Sequence, residues 1–330
     1  MLKILAHLHT YGNNALSGAD KMMQSILESL VSAGAECTAA IDACHIDYNL
    51  NGVNVVSNRI LLGEQYEAAN LIITHLVPNH ESRYIAKRFN KPVLYIAHNS
   101  AECRVYEGFI VYNSKWLQKV STLNLESIVV HPPTKPQQLY EHYTEPYITL
   151  VNTCGNKGGE MFYSLAMALP HYKFLGVHGG YGQQLTQPLI NIMYRSFEPV
   201  MDYSDTKILL VPSITESWSM CAAEAMARGI PVICSNLPGL KENCGPAAIY
   251  CTGLYDYISA IDELQHEYLY RDYAALGNKR IIERNNNKEL QNLFNFVLKI
   301  TGMDKSKKLI TPVKEKKEVG PIRKKQIIKP

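Results

Sequence analysis

Short apolar runs of strand length alternate with amphipathic stretches along the first 300 residues. The runs Ile4–Leu8, Cys37–Ile41, Leu71–His75, Val93–Ala97, Phe109–Tyr112 and Ser127–Val130 read as buried strands. Met22, Met23, Ile26, Leu27, Leu30 and Val31 recur at helical spacing and predict a helix from Asp20 to Ala33, stopped by Gly34. Ser114 is the expected N-cap of a helix over Lys115–Val120. The Pro-rich segment His131-Pro-Pro-Thr-Lys-Pro cannot continue a strand interior and reads as a linker.

A second series begins at a strand over Tyr147–Val151. It continues with a helix over Glu160–Leu169, strands at Phe174–Val177 and Leu189–Met193, and a glycine loop at Gly179–Gly182. The run ILLVPSITESWSMCAAEAMARGIPVIC then predicts strand Ile208–Val211, loop Pro212–Ser219, helix Met220–Arg228 and strand Pro231–Cys234. One helix is expected near Tyr255–Leu269 and another over Leu290–Ile300. Strands alternating with helices predict an α/β class with parallel sheets, as two successive Rossmann-like domains.

Composition changes this picture little in the body of the chain and sharply at its end. With 46% hydrophobic residues, the 330-residue chain has enough apolar content for two cores. No run reaches the roughly 18 consecutive apolar residues of a membrane span, and Met1–Gly12 reads as a first strand, not a signal peptide. The eight cysteines show neither C-x-x-C nor Cys/His zinc spacing, which points to reduced thiols and a cytoplasmic setting. Residues 303–330 hold ten Lys/Arg against three Asp/Glu, leaving the rest of the chain mildly acidic. Such a basic, apolar-poor tail is expected to be disordered.

The candidate chemistry centres on Glu216 and Glu224, eight residues apart. One lies in the loop before a helix and the other inside that helix, so both can face a cleft at the carboxyl edge of a parallel sheet. Carboxylates accept hydrogen bonds from hydroxyls, and the intervening helix N-terminus favours an anion. Across the first strand–helix connection, Gly18 fits a place where backbone approaches a ligand.

Pro212, Ser213, Glu216, Ser217, Trp218, Glu224-Ala-Met-Ala227, Gly229 and Pro231-Val-Ile233, followed by Gly239-Leu-Lys-Glu242, resemble the donor-site segment of retaining GT-B glycosyltransferases, especially family 4. The resemblance covers about residues 1–300 and is densest at 208–242. It implies a GT-B fold with domains at 1–140 and 147–287 facing a central cleft, and a final helix, 288–301, crossing back onto the first domain. It also implies a nucleoside-diphosphate sugar as co-substrate, a hydroxyl acceptor, retention of configuration and no metal.

By the same resemblance, Glu224 would bind ribose and Glu216 the donor sugar, with His98 beside that sugar and His75 in support. Lys157, Ser17, Gly18, Ser219, Met220 and Gly179 would surround the nucleotide and its diphosphate, helped by Arg195. Two departures stand out: Asn152 where the family carries an arginine, and Ser219 where it carries glycine. Asp202 and Asp205 have the wrong spacing for a metal site and are expected to cap a helix.

Two alternatives remain. The entry segment HLHTYGNNALSGAD resembles phage-encoded members of the superfamily, which makes a modified DNA base a second acceptor class and the host cytoplasm a second setting. The basic tail suits such a polyanion or an anionic membrane surface. The Asn152 and Ser219 departures also suit a non-catalytic nucleotide-sugar-binding protein. A dinucleotide oxidoreductase is excluded by the absence of G-x-G-x-x-G after the first strand.

Overall fold

The computed structural model describes residues 1–303 apart from 13, 14, 16, 43–45, 59–62, 77–83, 85, 101–106, 138, 140–145, 197, 199, 200 and 285. The basic tail beyond Met303 lies outside the described residues.

The first sheet has eight strands in the order β3-β4-β2-β1-β5-β6-β7-β8. In chain order these are Lys3–Leu8, Glu36–Ile41, Tyr48–Leu50, Val53–Ser57, Leu71–His75, Val93–Ala97, Phe109–Tyr112 and Ser127–Val129. All pairs are parallel except β3 with β4. The chain reverses direction across the sheet at β1, which lies between β2 and β5. β1 is buried along its length beyond Lys3, as a central parallel strand covered on both faces must be.

The second sheet has six strands, β11-β10-β9-β12-β13-β14, all parallel. They are Tyr147–Val151 (β9), Phe174–Val177 (β10), Ile192–Arg195 (β11), Thr206–Val211 (β12), Val232–Ser235 (β13) and Ala248–Cys251 (β14). β9 and β12 lie at its own reversal point. Both switch points open at carboxyl strand ends, where such sheets bind ligands.

Helix α1 spans Gly18–Ser32 and buries Met22, Met23, Ile26, Leu27 and Leu30 against the first sheet. It begins two residues before Asp20. Ser17 is the N-cap, accepting from the Asp20 amide at 3.3 Å and donating its hydroxyl to the Asp20 carboxylate at 2.7 Å. Helices α2 (Gly63–Ala68), α3 (Lys115–Val120) and α4 (Gly159–Ala168) follow, then α5 (Met220–Ala227) and α6 (Pro238–Cys244). Ser114 caps α3 by accepting from the Leu117 amide at 3.1 Å.

The last three helices are α7 (Leu254–Glu263), α8 (Glu267–Glu283) and α9 (Asn286–Ile300). Leu293, Phe294 and Val297 of α9 are buried in the core of the first domain, so the chain ends by tying the two domains together.

The structure corrects several boundaries. The strand expected at Leu189–Met193 begins only at Ile192. Leu189–Asn191 is a turn, and the Asn191 amide donates to the carbonyls of Ala166, Leu169 and Tyr172. The single helix expected near Tyr255–Leu269 is two, separated by a turn at Leu264–His266. Strands β3, β4 and β14 and helices α2 and α6 were not legible in the pattern. Asp202 and Asp205 cap no helix: Asp202 closes a turn onto Ser204, and Asp205 pairs with Arg195 ahead of β12.

Candidate active site between two parallel sheets

A cavity of about 860 Å³ lies between the two domains, lined by residues from both. Ser17, Gly18, His98, Asn152, Lys157, Gly179, Glu216, Ser219, Met220 and Glu224 all line it. The structure therefore brings these ten candidate positions together, whereas His75 lies behind the wall. Arg195 is not among the lining residues; its guanidinium is held by Asp205.

Both central carboxylates are paired with lysines. The Lys157 ammonium donates to Glu216 Oε2 at 2.6 Å. Burial opposes the charge on Lys157, but Glu216 outweighs it and raises the lysine pKa. Glu224 Oε1 accepts from Lys21 at 2.8 Å, and its Oε2 accepts from the Tyr203 hydroxyl at 2.9 Å. Lys21 belongs to α1 of the first domain, so this ion pair spans the cleft.

The two departures from the family pattern receive physical explanations. Ser219 has φ of +73°, in the left-handed region where glycine is at ease. Its hydroxyl offsets some of the strain by capping α5, accepting from the Ala222 amide at 3.3 Å. Asn152 also has positive φ, +69°, a conformation that asparagine tolerates better than most residues. Its side chain is committed to the glycine loop: Oδ1 accepts from the Cys154 amide and Gln184, and Nδ2 donates to the Tyr181 carbonyl. Gly179 packs against that amide so closely that an added Cβ would lie 2.2 Å from Asn152 Cγ. Asn152 thus shapes the pocket wall and brings no charge to it.

The first domain supplies a buried histidine pair. His75 Nδ1 lies 3.1 Å from His98 Nε2, and His75 Nε2 is 3.9 Å from Asp20 Oδ1. Burial holds both imidazoles neutral, lowering His75 to about 3 and His98 well below its ordinary value. The His98 carbonyl accepts from the Asn113 amide at 3.0 Å and from the Ser217 hydroxyl, and Asn113 also donates to Ser217 at 2.9 Å. Ser217 of the motif therefore fastens the second domain onto the loop carrying His98.

Glu242 of the G-x-x-E segment is not in the cleft. It accepts from the Lys115 and Trp116 amides at 2.6 and 2.7 Å, completing the N-terminus of α3 across the domain seam. His131 donates or accepts at both ring nitrogens, 2.7 Å from Glu242 and 2.8 Å from Glu289. Its ring stacks on Trp218, with centroids 4.5 Å apart, and the Arg284 guanidinium lies 4.6 Å from the centroid of Trp218.

Sequence reasoning missed Lys21, Tyr203, Asn113 and His131 as members of this constellation. Lys21 stands directly after Ser17-Gly-Ala-Asp20, the one signal available for it. The other three reach the site only through tertiary packing.

Two Rossmann-like parallel-sheet domains closed by a returning C-terminal helix define the GT-B class. The fold is shared with sucrose-phosphate synthase from Thermosynechococcus elongatus, at TM-score 0.70 and 15% identity over 92% of this chain and all of that one. A glycosyltransferase from Rickettsia africae matches with TM-score 0.67 and 14% identity over 92% and 99% of the two chains. HepE from Anabaena, solved in complex with UDP and glucose, matches with TM-score 0.67 and 13% identity over 90% and 99%.

The profile of the family described as Glycosyl transferases group 1 matches residues 193–255, the segment from β11 through β14 that holds Glu216 and Glu224. Over that segment the chain is similar to the glycosyl transferases of group 1, and over nearly its whole length it shares the fold of the solved glycosyltransferases. A comparison with curated protein sequences gave no match.

Proposed function

We propose that the protein transfers a sugar from a nucleoside-diphosphate sugar to a hydroxyl acceptor with retention of configuration. The observation that carries this reading is the pair Glu216, in the loop before α5, and Glu224, inside α5, each held by a lysine in the cleft between the two sheets. Carboxylates placed this way suit the hydroxyls at the two ends of a nucleotide sugar, and the N-terminus of α5 between them suits its anionic middle. Glu224 takes the ribose and Glu216 the transferred sugar, with His98 beside it. Lys157 and the amides of the first turn of α5 stabilise the departing diphosphate, a stabilisation of developing charge by preset groups.

HepE was solved with UDP and UDP-glucose, which makes uridine nucleotides the first donors to try here. Among the described residues of the cleft no side chain is set as a nucleophile: Cys221 lines it, but burial and Glu224 push its thiol up to about 11. The acceptor therefore attacks from the leaving-group face, and lysines take the part that a metal ion plays elsewhere. Activity undiminished by chelator would agree with this, and an NMR assignment of the product anomer would test retention.

The test of the reading is thermal stabilisation across a panel of nucleoside-diphosphate sugars. A true donor at a hundred times its Kd adds about 2.7 kcal/mol to the native state. If none raises Tm, the donor assignment fails. Release of free nucleoside diphosphate from the selected donor would separate an enzyme from a protein that only binds it. DNA binding compared with and without residues 303–330, over a salt series, tests the DNA-base alternative for the acceptor.

A further inference from the structure

The diphosphate of such a donor brings about two negative charges into the cleft, and charge in a water-poor site is costly unless it is paired. Among the described residues that line the cleft, the second domain offers one cation, Lys157. Asn152 stands where a second is expected, and its amide is fully used in holding the Tyr181–Gln184 loop.

A second ammonium does enter the cleft, from the opposite wall. Lys21 projects from the first turn of α1 and crosses to Glu224 at 2.8 Å. The loop before it abuts the start of α5: a Cβ on Gly18 would lie 2.8 Å from Met220 Cγ. Lys21 and Lys157 line the same cavity as Met220 and Cys221, the first two residues of α5. The two lysines therefore converge from opposite domains on one helix N-terminus, whose first amides have no acceptor within the helix.

Both oxygens of Glu224 are already engaged. Oε1 is on Lys21 and Oε2 is on Tyr203. A ribose hydroxyl that approaches Glu224 competes with both of them for the carboxylate. Tyr203 is fully buried, whereas Lys21 is on a flexible four-carbon stem and partly exposed, so Lys21 is the partner that yields.

We propose that Lys21 is the second diphosphate-binding cation of this site, exchanging Glu224 for the phosphates when ribose competes for that carboxylate. The inference rests on the donor-site reading given above. Two lysines balance two carboxylates in the cleft. With donor bound, the carboxylates hold hydroxyls and the lysines hold phosphate. Because Lys21 comes from the facing domain, this exchange also draws that domain onto the nucleotide.

The test compares UDP with uridine, using calorimetry for the first and ligand-observed NMR for the weaker second. Lys21→Gln removes the cation and releases Glu224, so UDP binding should fall roughly tenfold to a hundredfold, as for loss of a hydrogen bond to a charged group. Uridine, which has no phosphate, should bind as well as before or better. Lys21→Arg should keep UDP affinity within a few-fold of wild type.

Unchanged UDP affinity in Lys21→Gln would overturn the proposal. So would an equal loss of UDP and uridine, or an Arg variant as weak as the Gln variant, because each would make Lys21 merely structural. If the wild type binds neither UDP nor any other nucleoside diphosphate of the panel, the donor reading itself has failed and takes this inference with it. Thermal melts of both variants show that a lost affinity is not lost folding.

Discussion

Glu242→Gln is a sharp perturbation of the seam that holds the two halves of the site in register. Glu242 uses both oxygens, accepting from Lys115 N at 2.6 Å and Trp116 N at 2.7 Å, and bonds His131 Nε2 at 2.7 Å. A glutamine of the same shape keeps one oxygen and turns an amide nitrogen toward a backbone N–H or the imidazole. At least one charge-assisted bond is lost and one donor is left facing a donor. A hydrogen bond to a charged group is worth about 1.5–3 kcal/mol, and an unsatisfied donor costs about 1–3 more. Glu242 is only half-buried, so water recovers part of this. We expect a net loss of about 2–4 kcal/mol, a fall in Tm of about 5–10 °C.

The seam also carries a pH signature. For His131, burial disfavours charge, but hydrogen bonds to Glu242 and Glu289 outweigh it and raise its pKa above the ordinary 6.5. A raised folded pKa contributes stability that is complete below 6.5 and is lost as pH climbs through the folded value. For Glu242, burial works against the charge, but hydrogen bonds from His131 and the Lys115 and Trp116 amides lower its pKa below the ordinary 4.5. Its contribution is complete above 4.5 and is lost as pH falls through the folded value.

The seam should therefore be strongest from about pH 5 to 6.5 and weaken toward pH 8.5. Melting curves at pH 6 and 8.5 are the assay. The wild type should lose Tm over that interval, and Glu242→Gln should lose much less because its His131 has lost one of its two carboxylates. A variant within about 0.5 kcal/mol of wild type, the ordinary scatter for surface changes, with its pH slope intact, would refute this account of the seam.

Three further outcomes follow from the same geometry. Glu224→Ala should raise the donor KM by roughly tenfold to a hundredfold while Tm shifts little; unchanged donor affinity by calorimetry would remove Glu224 from the donor site. Gly239→Ala would set a Cβ 2.4 Å from the Glu216 carbonyl and 2.6 Å from the Ser217 carbonyl carbon. It should displace the Glu216 loop, cost about 1–3 kcal/mol as overpacking does, and weaken donor binding; a variant with normal Tm and KM would show that the loop has room to move. Asn152→Ala should cost about 2–3 kcal/mol, from lost loop hydrogen bonds and a left-handed backbone that alanine resists, read as a shift in denaturant midpoint; a neutral result would mean that Asn152 does not hold the Gly179–Gln184 loop.

The parts of this protein that were legible in its sequence are those where local chemistry repeats a short pattern. Buried parallel strands such as β1 and β12 are continuous apolar runs because both faces are covered. Helix α1 shows its stripe because one face meets the sheet. The Glu216–Glu224 segment was readable because strand, loop, capped helix and stop occur within a few dozen residues. The edge strand β3, its neighbour β4 and the short helices α2 and α6 were not, since they are polar or brief and are held by neighbours, not by pattern. The break between α7 and α8 was hidden because the residues on both sides are good helix formers.

The sequence by itself thus determined two parallel α/β units and a donor segment with its two carboxylates, because strand burial, capping and motif spacing are local properties. The tertiary structure decided which charges meet. Lys21 and Glu224 are 203 residues apart, Asn113 and Ser217 are 104 apart, and Lys115 and Glu242 are 127 apart. It also decided that Asn152 serves the pocket wall and that Ser219 accepts a glycine-like backbone as a helix cap. Such pairings depend on how two sheets are presented to each other across a cleft, and no periodicity along the chain encodes that.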